Sequence, residues 1–102
     1  MVVRTFKLSS GHLMPALGLG TYIRDPSQRP ALLKSIRIGL DQGYRAIDTA
    51  WTYQTEDLVG EAIRQSGLKR EDIFITTKVY VFSNLATLTI AGTICTGMWK
   101  RA

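Results

Sequence analysis

Gly43-Tyr44-Arg45-Ala46-Ile47-Asp48-Thr49-Ala50-Trp51-Thr52-Tyr53 is a short apolar run that starts behind a glycine and closes on a carboxylate and, five positions later, a phenol. Residues 45–48 have the composition of a buried strand, and the small and polar residues after them read as a loop. In parallel α/β proteins, binding and chemistry are placed at the carboxyl ends of the strands, where the loops share one rim. Asp48 and Tyr53 fall at that position, so this stretch predicts both a strand and a site.

Helical patterns flank it. Leu33, Ile36 and Leu40 recur at helical spacing in a segment that starts at Ser27 or Pro30 and runs to about Gln42, with Pro30 suited to a first turn and Gly43 placed to cap the end. A second helix is predicted over residues 55–66. It has Glu56 and Asp57 at its positive end, Leu58 with Ala62 and Val59 with Ile63 on one face, and Gly67 to stop it. Residues 17–20 and 73–77 read as further strands. The three strand starts, Leu17, Arg45 and Ile73, are each 28 residues apart, close to the roughly 30-residue length of a strand, helix and return. Repeated βα units build either an open doubly wound sheet or a closed barrel, and the period does not choose between them.

Ahead of these units, Val2, Val3, Thr5 and Phe6 predict a first strand, Ser9-Ser10-Gly11-His12 a turn, and Leu13-Met14 a return strand. His12, the sole histidine, reads as an exposed turn residue without a partner for metal binding or catalysis, and no metal site is expected. Gly18-Leu19-Gly20 after a strand, with Asp48 closing the next, invites a dinucleotide-binding open sheet. The third glycine of that fingerprint fails, because position 23 is Ile, and Asp25-Pro26 separates the glycines from the helix that would have to start at once.

The 102 residues fit one small domain that buries roughly 60 to 70 per cent of its unfolded surface. A net charge of +5 is spread from Arg4 to Arg101 and interleaved with acids, without a basic stripe, so nucleic-acid binding is not expected. All eight acidic residues lie at or before Asp72, whereas the last thirty residues carry only Lys78, Lys100 and Arg101 as charges. Residues 79–99 form 21 uncharged positions, long enough for a membrane span, but six of them are Ser, Thr or Asn, which argues against one. Cys95 is a lone cysteine, and residues 1–7 lack the long apolar core of a secretory signal, so a cytoplasmic chain is expected.

Four motifs occur in order: Met14-Pro15-Ala16-Leu17-Gly18-Leu19-Gly20-Thr21-Tyr22; Gly43-Tyr44-Arg45-Ala46-Ile47-Asp48-Thr49-Ala50 with Tyr53; Val59-Gly60-Glu61-Ala62-Ile63; and Arg70-Glu71-Asp72-Ile73-Phe74-Ile75-Thr76-Thr77-Lys78-Val79. In order and spacing they resemble the amino-terminal quarter of the aldo-keto reductases, over roughly residues 5–79. The resemblance implies an α/β fold: part of a (β/α)8 TIM barrel, with an amino-terminal hairpin and about three βα-type units, the barrel not closed. It implies an oxidoreductase domain over residues 1–79, and residues 80–102 are expected to be a poorly ordered, non-family tail.

The function so implied is NADPH-dependent reduction of aldehydes or ketones to alcohols by hydride transfer. Reducing a carbonyl needs a proton donor for the developing alkoxide, and a tyrosine, with an ordinary pKa of about 10, does this best beside an ammonium. By resemblance Tyr53 is that donor, Lys78 its electrostatic partner and Asp48 the carboxylate that keeps Lys78 charged and oriented. Gly20, Thr21, Tyr22 and Asp48 would approach the nicotinamide half of the cofactor. The family's catalytic histidine on the following strand has no counterpart, because no histidine follows Lys78. The later strands that complete the cofactor site are likewise without counterpart, so the 102 residues alone are expected to be inactive and, with a strand edge uncovered, prone to aggregate. The rival expectation is a non-catalytic protein, anchored through residues 79–99 or acting by association.

Overall fold

The computed structural model describes residues 4–79. Val2 and Val3 of the expected first strand, and the tail expected at 80–102 with nearly all of the uncharged stretch, lie outside them. The hairpin forms as its turn chemistry predicts: β1 (Thr5–Lys7) pairs antiparallel with β2 (Leu13–Pro15), Phe6 opposite Met14. Gly11 takes the left-handed conformation at φ 92° that lets the chain reverse, and the Leu8 N–H donates to the His12 carbonyl at 2.8 Å.

Three parallel strands follow: β3 (Leu19–Gly20), β4 (Ala46–Asp48) and β5 (Phe74–Thr76), in the order β3-β4-β5. Each is shorter than the apolar run that announced it. Apolar character extends past the residues that pair: Ile73 is buried in the core yet precedes the first residue of β5, and Leu17 is 59% exposed. Consecutive parallel neighbours, each joined to the next by a crossover of the same right hand, carry both connecting helices on one side of the sheet. A doubly wound sheet reverses its strand order at a switch point. The order β3-β4-β5 contains no reversal, which suits three successive barrel strands and equally one half of a doubly wound sheet, so it does not by itself choose between the two architectures.

The helices are α1 (Arg29–Asp41) and α2 (Glu56–Ser66). A 3-10 turn, Pro26–Gln28, leads into α1. It is held by a reciprocal cap in which Asp25 Oδ1 accepts from the Ser27 N–H at 3.0 Å and Gln28 Oε1 accepts from the Asp25 N–H at 3.3 Å. Gly43 (φ 105°) and Gly67 (φ 74°) stop the two helices in the left-handed conformation that costs glycine least. Ile36 and Leu40 of α1, Val59 and Ala62 of α2, Ile47 of β4 and Ile73 form the core between helices and sheet. Because strand side chains alternate, Ile47 pointing into this layer sends Asp48 to the opposite face.

Candidate active site

Asp48 ends β4, and its register partner on β5 is Thr76. Lys78 lies two residues beyond Thr76 and so on the same face. Past the strand ends the ladder continues, with the Thr49 N–H donating to the Thr76 carbonyl and the Trp51 N–H to the Lys78 carbonyl, both at 2.8 Å. Lys78 Nζ thereby reaches both carboxylate oxygens of Asp48 at 2.9 Å and the Thr49 carbonyl at 3.0 Å. The hydrogen bond it donates to Asp48 holds the Lys78 ammonium above the ordinary lysine value of 10.5, against a smaller opposing effect of desolvation, and the charges of Asp48 and Tyr53 add to the rise.

Tyr53 is delivered by the 3-10 turn Trp51–Tyr53 that follows β4. Gln54 leaves that turn at φ 56° and closes it by donating from Nε2 to the Trp51 carbonyl at 2.8 Å. The Tyr53 ring centroid lies 5.4 Å from Lys78 Nζ. Tyr22 also meets that ring edge to face, with centroids 5.3 Å apart and planes at 68°. Tyr22 is itself 64% exposed.

The loop that carries Tyr22 is tied to the same rim. Gly20 pairs with Asp48, and Thr21, fully buried, donates from Oγ1 to the Asp48 carbonyl at 3.0 Å. Thr55, also fully buried, donates from Oγ1 to the Thr21 carbonyl at 3.1 Å. Asp48, Lys78, Tyr53, Gly20, Thr21 and Tyr22 are thus all brought together at one end of the sheet. They do not all face outward: Gly20 and Tyr22 are exposed, whereas the hydroxyl of Thr21 is engaged inside the protein. The Thr21 carbonyl is likewise taken, by Thr55, and the whole residue is 0% exposed.

Thr55 was missed by sequence reasoning, which took it as the start of a helix. Nothing in its neighbours marks it as buried, because its partner lies 34 residues away. His12 stays in the hairpin turn, exposed, with its Nδ1 at 3.1 Å from Ser10 Oγ. A hollow between the hairpin and β5 is lined by apolar residues such as Leu13 and Phe74 and by His12, Arg70, Glu71 and Asp72, with no tyrosine. It lacks any juxtaposition of acid, base and phenol like that at the rim.

The arrangement places a phenol beside an ammonium that a carboxylate keeps charged, which suits the donation of a proton to a developing alkoxide. Residues 16–100 match the model of the Aldo/keto reductase family. That match runs past Val79, so it does not reproduce the break at which the resemblance was expected to stop. The chain is 47% identical over 78 residues to aldo-keto reductase family 1 member C13 of Mus musculus, covering 72% of this chain and 24% of that protein. It is 43% identical over 77 residues to glycerol 2-dehydrogenase (NADP(+)) of Saccharomyces cerevisiae, covering 76% and 24%. A crystal structure of an aldo-keto reductase complexed with NADPH superposes with a TM-score of 0.71 at 37% identity, over 88% of this chain and 30% of that one. The chain spans about a quarter of the length of the curated relatives it matches.

Proposed function

Since the chain belongs to the aldo/keto reductase family, we propose that its described residues are the Asp48, Lys78 and Tyr53 side of a site that reduces aldehydes or ketones to alcohols in the cytoplasm. The single observation that carries this reading is Lys78 held at 2.9 Å from Asp48 with its ammonium 5.4 Å from the Tyr53 ring centroid. In the reaction Tyr53 gives its hydroxyl proton to the carbonyl oxygen, and the Lys78 charge stands beside the phenolate that remains. Asp48 keeps Lys78 protonated and pointed at the ring. Gly20 and Tyr22, exposed beside Asp48 where β3 and β4 end, fit the nicotinamide half of NADPH. When bound there, that cofactor would supply the hydride for the carbonyl carbon. A small carbonyl compound is the substrate, with Tyr22 and Tyr53 as its aromatic wall.

Taken alone, the 102 residues hold one side of this site, since no histidine follows Lys78, and we expect no turnover from them. Positioning of the reactants supplies about 7 to 11 kcal/mol of barrier lowering in enzymes generally, and one rim cannot fix both. The test joins residues 1–79 to the remainder of the yeast glycerol 2-dehydrogenase and follows NADPH oxidation with an aldehyde panel. We expect the chimera to turn over, Tyr53→Phe to lower kcat by roughly 10²- to 10⁴-fold, the range ascribed to a general acid, and the 102-residue chain to show background. A cooperatively melting chimera whose rate is untouched by Tyr53→Phe would refute the assignment.

A further inference from the structure

Thr55 occupies the residue before α2, where a threonine hydroxyl ordinarily accepts a hydrogen bond from the first turn of the helix. It makes no such bond. Its Oγ1 turns away to donate to the Thr21 carbonyl at 3.1 Å and lies 3.4 Å from Thr21 Oγ1, which in turn donates to the Asp48 carbonyl at 3.0 Å. Both threonines are fully buried, so water offers neither hydroxyl a substitute partner, and each bond is one whose loss leaves a polar group uncompensated. The series runs from the amino end of α2 through the loop after β3 to the last residue of β4. Tyr22, the next residue after Thr21, presents its ring to Tyr53.

We propose that Thr55 is a positioning residue for the carbonyl-reducing site. Its hydroxyl sets the loop that carries Tyr22, and through Thr21 it sets the backbone of Asp48, so that Tyr22 and Lys78 are both held against Tyr53. The role follows from where the bond goes. A cap bond would hold α2 to itself, whereas this bond holds a different element, 34 residues away in sequence, to the rim. As a contribution to catalysis the inference rests on the reductase reading above, but the geometry it asserts stands apart from activity.

The test therefore reads local structure. Thr55→Val keeps the shape and removes the donor; Thr55→Ser keeps the donor. Amide hydrogen exchange of the full chain at micromolar concentration, followed by mass spectrometry, compares peptides over residues 20–24 with peptides over residues 57–66. The expected result is roughly tenfold faster exchange in the loop for Thr55→Val, the factor that loss of one hydrogen bond of ordinary net strength produces, with α2 unchanged. Thr55→Ser should restore parent exchange, and near-ultraviolet circular dichroism should show the Tyr22–Tyr53 pair perturbed in Thr55→Val alone. If α2 loses protection as much as the loop does, or the loop is unaffected, or the serine variant behaves like valine, the proposal is wrong. None of these outcomes depends on whether the chain reduces carbonyls.

Discussion

The ammonium of Lys78 sits 2.9 Å from each carboxylate oxygen of Asp48, although 30 residues separate the two in sequence. Parallel register explains the meeting: Asp48 lies opposite Thr76, and two further residues of extended chain return Lys78 to the same face. Both side chains remain about half exposed. A pair so open to water contributes little to stability, about 1 kcal/mol at most, and its value lies in orientation.

Because Lys78 titrates above its ordinary 10.5 in the folded chain, its contribution to stability is fully present below that value and is lost as pH rises through the raised one. Urea midpoints of the parent and Lys78→Met should therefore differ by a constant small amount through the neutral range, and the gap should close only above 10.5. Closure near neutrality would contradict the assignment. In Asp48→Asn, the Lys78 side-chain titration followed by NMR should fall back toward the ordinary value, since Asp48 is the largest cause of the rise.

Thr49 is 2% exposed, and its Oγ1 has no hydrogen-bond partner among the described residues. Valine has nearly the same shape without the hydroxyl, and removing an unsatisfied buried donor is neutral or favourable. Thr49→Val should raise stability by up to about 1 kcal/mol, read as a higher urea midpoint at unchanged slope. A loss of more than that amount would mean the hydroxyl is satisfied.

Two helix glycines should respond differently to alanine. At Gly60, within α2, an added Cβ meets nothing within 4 Å, so Gly60→Ala should stabilise by about 0.8 to 1 kcal/mol through helix propensity. At Gly39 an added Cβ would lie 2.5 Å from Leu19 Cδ1, where α1 lies close against β3. Overpacking there costs about 1 to 3 kcal/mol, so Gly39→Ala should lower stability or leave it level. Thermal melts of the two variants side by side decide it.

Among the described residues, β3 and β5 each pair on one side only, and Phe6, Leu13 and Leu17 are 58%, 60% and 59% exposed. Unpaired edges beside apolar surface template association. Static light scattering of the 102-residue chain should show mass rising with concentration, and a monodisperse monomer at every concentration would show that the edges are covered.

The helix stops were legible in the sequence because capping is local: Gly43 and Gly67 act through dihedrals within a few residues of themselves, whereas the Asp25–Gln28 cap came only with the structure. The hairpin was legible for the same reason, through Gly11. The strand that closes on Asp48 could also be found, since a short apolar run between a glycine and a polar loop has few other uses. The motif resemblance supplied the roles of Asp48, Tyr53 and Lys78, residue by residue. What tertiary structure alone decided is everything that depends on register and layer. The 28-residue period is common to barrels and doubly wound sheets, and so is the order β3-β4-β5 over three strands; the superposition on a solved aldo-keto reductase over 88% of the chain separates them. Thr21 reads as a polar loop residue and Thr55 as the start of a helix, yet both are fully buried, because a hydroxyl can be buried wherever a carbonyl from a distant element comes within reach. Sequence patterns record what each residue prefers from water and from its near neighbours; they carry no record of which distant backbone will be opposite it.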